Sequence, residues 1–155
     1  MPGKQLLIVA PVPSPNTRRL AQAAVSRAAD PALDGVHCRL LRPDQASADD
    51  VLASDALVLG TTENFGYMAG ALKDFFERIY YPCLEKTRGM PYALWVRAGQ
   101  DGLGAKSSVE RIVAGLGWNA VQPVLIMQGA WQEDFVSQVG ELSLTVAAGV
   151  DAGIY

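Results

Sequence analysis

Five short apolar runs punctuate the chain, at Gln5–Ala10, Val36–Leu41, Ala56–Gly60, Tyr92–Ala98 and Val121–Gln128. Each has strand length and little alternation of apolar and polar residues, the pattern of parallel strands covered on both faces. Between and after them the spacing becomes helical. Leu20, Ala23, Ala24 and Ala28 mark a first helix, and Met68, Leu72, Phe75, Phe76 and Ile79 mark a third. Val109, Ile112, Val113 and Leu116 mark a fourth; Phe135, Val139, Leu142 and Val146 mark the last. A shorter second helix is expected at about Ser47 to Ser54. Strand followed by helix, five times over, predicts an α/β domain: a doubly wound parallel sheet of five strands in three layers, with right-handed crossovers. No linker or internal repeat divides it, so one domain over residues 1–155 is expected.

Sheets of this kind gather ligands beyond the carboxyl ends of their strands, where the strand order reverses. For the order 2-1-3-4-5 that rule selects three loops: Pro11–Thr17, Thr61–Tyr67 and Gly99–Ala105. The first places Ser14, Asn16 and Thr17 where a helix begins, so that hydroxyls, an amide and the first-turn N–H groups outline an anion site. A plain N-cap stiffened by prolines is the simpler reading of the same residues. Arg18 and Arg19 follow, and either add charge to a phosphate or face solvent. In the second loop, Phe65 and Tyr67 offer flat apolar faces, Thr61, Thr62 and Asn64 offer hydrogen bonds, and Gly66 permits close backbone approach. A planar heteroaromatic ring needs that mixture, although the two aromatics would also serve by tucking into the core. The third loop carries Gly99, Gly102 and Gly104. Its Gly99-x4-Gly104-Ala-Lys106-Ser107 has one residue too many for a nucleotide phosphate loop and follows the wrong strand.

Composition removes several alternatives. A net charge of −3 gives no basic footprint for nucleic acid and no polybasic segment for anionic lipid. The apolar run after Met1-Pro2-Gly3-Lys4 is too short for a secretory leader or a membrane span, so a cytoplasmic protein without membrane insertion is expected. Cys38 and Cys83 lack metal-site spacing and read as small apolar fillers, and the single histidine, His37, has no partner in sequence. No metal site is expected. Nor is there a G-x-S-x-G elbow or a carboxylate pair suited to acid/base work, so no catalytic residue is assigned.

Two stretches resemble a known family. Gly60-Thr-Thr-Glu-Asn-Phe-Gly-Tyr-Met-Ala-Gly-Ala-Leu-Lys-Asp-Phe is similar to the second flavin loop and following helix of the flavodoxin-like NAD(P)H:quinone reductases and FMN reductases. Ser14-Pro-Asn-Thr resembles a shortened form of their phosphate loop. The resemblance implies a flavodoxin-like fold and non-covalent FMN. It places Ser14, Asn16 and Thr17 at the phosphate, with Glu63, Asn64, Phe65 and Gly66 beside the ring. Arg18, Thr61 and Thr62 complete these two loops, and Gly99, Gln100, Asp101 and Gly102 are expected on the pyrimidine side, where backbone amides would stabilise negative charge at flavin N1. Where the family pattern has proline and asparagine, this chain has Thr62 and Tyr67.

The implied chemistry is transfer of electrons from NAD(P)H to a quinone or similar small acceptor, with donor and acceptor using the exposed flavin face in turn. Arg97, at a strand end, is a candidate helper. Two other readings remain: a flavodoxin-like electron carrier without substrate turnover, and a flavin-free binding domain on the same scaffold. Tyr80-Tyr81 closes the third helix and, by the resemblance, would serve a homodimer or higher homo-oligomer. Trp118 and Trp131 flank the fifth strand and suit core, subunit contact or acceptor pocket equally.

Overall fold

Leu6 and Ile8 point to one side of the sheet and Leu7 and Val9 to the other, yet all four are at most 1% exposed. That two-sided burial is why the first strand shows no alternation. In the computed structural model, which describes residues 3–155, the strands are β1 (Lys4–Val9), β2 (Val36–Leu41), β3 (Ala56–Asn64), β4 (Tyr67–Met68), β5 (Pro91–Ala98), β6 (Asn119–Ala120) and β7 (Leu125–Gln128). Met1 and Pro2, where the sequence was expected to start without a leader, lie outside the described residues. The helices are α1 (Pro15–Ala28), α2 (Ala48–Leu52), α3 (Gly70–Cys83), α4 (Leu103–Leu116) and α5 (Asp134–Asp151).

The parallel sheet runs β2-β1-β3-β5-β6, with β7 also beside β5. This is the expected order 2-1-3-4-5, with its fifth strand in two pieces. The expected continuous strand Val121–Gln128 is corrected here. Chain pairing lapses around Pro123, which has no N–H to give to a ladder, and resumes at Leu125. A second correction concerns the third strand, which runs on to Asn64 and folds back as a hairpin. Met68 is therefore a buried strand residue ahead of α3 rather than the first residue of its helical face. On α1 the buried face uses Leu20, Ala21, Ala24 and Ala28, with Ala23 only half-buried.

The helices cover both faces. α3 and α4 bury Leu72, Phe75, Phe76, Ile79, Val109 and Val113 against one side, and α1 and α5 bury Leu20, Ala24, Val139 and Val146 against the other. Trp118 belongs to the first cluster, its indole N–H donating to Thr87 Oγ1 at 2.8 Å, so it is a core residue. Cys83 is buried and Cys38 half-buried; both are free thiols, and burial pushes Cys38 up to about 12, out of reach of thiolate chemistry. Tyr81 is exposed beside Tyr80 along a groove between α3 and α4 that Phe76 and Ile112 floor. No helix among the described residues is long and apolar enough to cross a membrane, and no cluster of three or more metal-ligating side chains occurs among them.

Candidate functional site

β1, β3 and β5 all end on the same edge of the sheet because they are parallel, so the chain segments that leave them converge. The first begins α1. Ser14 is its N-cap: the Thr17 N–H donates to Ser14 Oγ at 3.1 Å, and the Ser14 N–H donates back to Thr17 Oγ1 at 3.0 Å. This reciprocal box fixes the entry of the helix. Asn16 stands exposed beside it.

The second segment is a two-residue β-hairpin. Asn64 pairs with Tyr67, and the two residues between them, Phe65 and Gly66, have φ of 53° and 71°. Positive φ at both central positions is what a tight primed turn requires. Glycine accepts that conformation freely; a bulky aromatic does not. Phe65 is nevertheless held there, with its side chain fully exposed at 107%. The reading in which Phe65 and Tyr67 tuck into the core is therefore excluded, since Tyr67 is also exposed. The hairpin is braced from below. Thr61 Oγ1 accepts from the Ala69 N–H at 2.9 Å, and buried Ser108 Oγ accepts from the Met68 N–H at 3.2 Å while donating to the Ala105 carbonyl. At its tip the hairpin lies directly on α4. A Cβ on Gly104 would come within 1.9 Å of the Gly66 carbonyl oxygen, so only glycine fits there.

The third segment, Gly99 to Gly102, leads into α4 with Gly102 as a left-handed N-cap at φ 71°. Asp101 Oδ1 accepts from the Leu103 N–H at 3.0 Å, and Glu63 Oε2 reaches across from the hairpin to accept from the Ala105 N–H at 3.1 Å. The carboxylate of Glu63 thus caps α4 from a neighbouring strand. Among the described residues, the backbone N–H groups of Gln100 and Asp101 have no protein acceptor.

Two adjoining hollows result. One, of about 340 Å³, is lined by Ser14, Asn16, Thr17, Thr62, Glu63, Asn64, Arg97 and Trp131 among others. The other, of about 420 Å³, is bounded by Phe65, Gly66, Gln100, Asp101 and Gly104, and shares Glu63 and Gly99 with the first. Of the fourteen expected site residues, eleven line one of these two hollows. Thr61 lies beneath them as a brace, Gly102 is buried at the α4 cap, and Arg18 lines a separate hollow with Leu40 and Arg42 on the far side of α1. Tyr67 lines neither hollow.

Trp131 had no assigned role from sequence, and the structure makes it a wall. Its indole N–H donates to Glu133 Oε1 at 3.1 Å, and both Arg19 and Arg97 stack on its ring, with centroid distances of 5.6 and 5.9 Å. Arg19 donates from both terminal guanidinium nitrogens to Glu133. That hydrogen bond, followed by the one from Trp131, holds the Glu133 carboxyl down to about 2. Arg97 also stacks on Phe135 at 4.8 Å and donates to the carbonyls of Ala98, Met127 and Gly129 at 2.7, 3.1 and 2.7 Å. Burial lowers its guanidinium from the ordinary arginine range. A sequence signal for this group existed, since Arg97 ends a strand and Trp131 follows the next, but only the parallel register of β5 and β7 brings them together.

No family model matches the chain. Over 75 residues it is 29% identical to a flavodoxin of Aquifex aeolicus (strain VF5), a stretch that spans 48% of this chain and 40% of that relative. Among solved structures, a flavodoxin from the domain Archaea superposes with a TM-score of 0.79 at 16% identity, covering 94% of this chain and 98% of the other. The rubredoxin oxygen:oxidoreductase of Desulfovibrio gigas superposes with a TM-score of 0.77 at 10% identity, covering 99% of this chain and 37% of that one. The strand order, the convergence of three loops at its switch point and these near full-length superpositions together show that the chain has the flavodoxin-like fold.

Proposed function

We propose that the chain is an FMN-binding redox domain which, as an enzyme, passes electrons from NAD(P)H to a quinone or similar small acceptor. The observation that carries the reading is the pair of joined hollows at the switch point, polar and cationic at one end and flanked by the exposed Phe65 ring and free backbone amides at the other. Each has the volume of an ordinary small-molecule site, and an elongated ligand with an anionic tail and a planar head matches the two in sequence. The donor set fits FMN. Asn16 and the hydroxyls of Ser14 and Thr17 would hold the phosphate end, Thr62 and Asn64 the polar edge, and Phe65 the ring plane. Amides of Gln100 and Asp101 would face the pyrimidine side.

FMN supplies the hydride and single-electron chemistry when bound. The residues of this chain bind, orient and polarise. Asp101 and Glu63, which accept from the Leu103 and Ala105 N–H groups, hold the Gln100 and Asp101 amides in one orientation. Fixed dipoles of this kind stabilise negative charge without reorganising. The open hollow beside Phe65 leaves room for a nicotinamide and then for an acceptor at the same face. A cytoplasmic setting with small soluble donor and acceptor accords with that chemistry.

The test is spectroscopic. Purified protein should show the absorption of oxidised flavin, bleach on anaerobic addition of NADH or NADPH, and recover when a quinone is added. Flavin that resists both nicotinamides rejects the enzyme. The second reading, an electron carrier, is supported by the match to a flavodoxin over 98% of its length, and it requires reduction by a protein partner instead. Protein that neither carries nor takes up FMN would leave the flavin-free binding domain.

A further inference from the structure

The segment leaving β1 is poor in hydrogen-bond donors. Pro11, Pro13 and Pro15 have no N–H, and the N–H groups of Ser14 and Thr17 are spent on each other's side chains. Among the described residues this leaves the Asn16 backbone N–H, the Asn16 amide and the Ser14 and Thr17 hydroxyls on the first hollow, while Val12 lines the hollow of Arg18. A doubly charged phosphate held by so few donors gains from a positive charge nearby, because charge-assisted hydrogen bonds are the stronger ones. The two arginines of α1 do not provide it, because Arg18 faces another hollow and Arg19 is paired with Glu133.

Arg97 is differently placed. It lines the same hollow as Ser14, Asn16 and Thr17, and all three of its hydrogen-bond acceptors are neutral carbonyls. It makes no ion pair among the described residues. The carboxylate that shares the hollow, Glu63, is turned to the Ala105 N–H. A half-buried guanidinium held against Trp131 and Phe135 thus keeps a charge with no direct ion-pair partner beside the proline-rich loop.

We propose that Arg97 is the counter-charge for the phosphate of the bound flavin, taking over from the main-chain amides that the three prolines remove. The proposal rests on the FMN reading above and assigns a binding residue to it. The three carbonyl bonds and the two aromatic faces fix the guanidinium before the ligand arrives, so little ordering is left to binding.

FMN and riboflavin share the ring and differ by the phosphate, so titrating apoprotein with each separates the two ends of the site. Wild-type protein should prefer FMN by about tenfold or more, and Arg97→Met should weaken FMN by about tenfold to hundredfold while moving riboflavin by less than about threefold. Arg97→Lys should recover part of the loss, and thermal melts should accompany each variant. Equal weakening of both flavins, or of neither, overturns the proposal and leaves Arg97 as a clamp of the β5 and β7 ends. If Arg97→Met does not fold, wild type decides: its preference for FMN should fall between about 50 mM and about 0.5 M salt, and a preference that stays constant overturns the proposal. Wild type that binds neither flavin defeats the FMN reading itself, an outcome distinct from the others.

Discussion

Phe65 combines two costs that a purely structural residue would avoid: a left-handed backbone and a wholly exposed aromatic ring. A non-glycine residue in that region is strained by roughly 1–2 kcal/mol. Glycine relieves the strain but has more freedom to lose on folding. Phe65→Gly should therefore leave folding stability unchanged or raise it by up to about 1 kcal/mol in urea titrations, while weakening flavin binding. Loss of stability together with binding would mean that the ring supports the hairpin instead. Glu133 gives a pH-dependent expectation. Its carboxyl lies at about 2 in the folded chain, below the ordinary value of 4.5, because Arg19 and Trp131 hydrogen-bond its charged form. A depressed carboxyl stabilises the fold above its unfolded value and loses that contribution as pH falls towards the folded one. The difference in melting temperature between wild type and Glu133→Gln should thus be small at pH 7, as befits an exposed pair, and vanish between pH 4.5 and 2.

At the scale of elements, the α1 entry separates scaffold from site. Thr17→Ala breaks the reciprocal box and should cost about 1 kcal/mol of stability as well as FMN affinity. Asn16→Ala, at an exposed position, should reduce FMN affinity with its melting curve unchanged. The contact between hairpin and α4 is stricter. Gly104→Ala sets a methyl against the Gly66 carbonyl and should destabilise by about 1–3 kcal/mol, visible as a lower urea midpoint and earlier proteolysis near Phe65.

These elements also show what could be read from sequence. The central strands were legible because both faces of the sheet are covered there, which turns β1, β3 and β5 into nearly unbroken apolar runs, whereas the edge strand β2 carries exposed His37 and Arg39. The three loops followed from strand order. The hairpin was not legible, since Phe-Gly is an uncommon pair for a turn that favours asparagine or glycine at its first position. Arg18 was grouped with the site through its neighbours in sequence, but the 100° step of a helix carries it to the other side of α1. Arg97 and Trp131 needed the register of β5 against β7 to meet.

For the molecule as a whole, the division of labour follows the sheet. Its middle strands, β1, β3 and β5, are sealed by two apolar clusters and present their carboxyl ends as a rigid rim on which the hollows sit. Mobile parts are not needed to assemble the site, because caps and braces already fix each loop. The break between β6 and β7 bears on how the molecule behaves among its own copies. A straight outer strand would offer a row of unpaired backbone groups on which another chain could extend the sheet. Here Pro123 interrupts that row and carries no N–H of its own. Pro123→Val should fold to the same structure yet scatter more light during concentrated refolding, so the lapse in the fifth strand acts as a guard against fibre-like association.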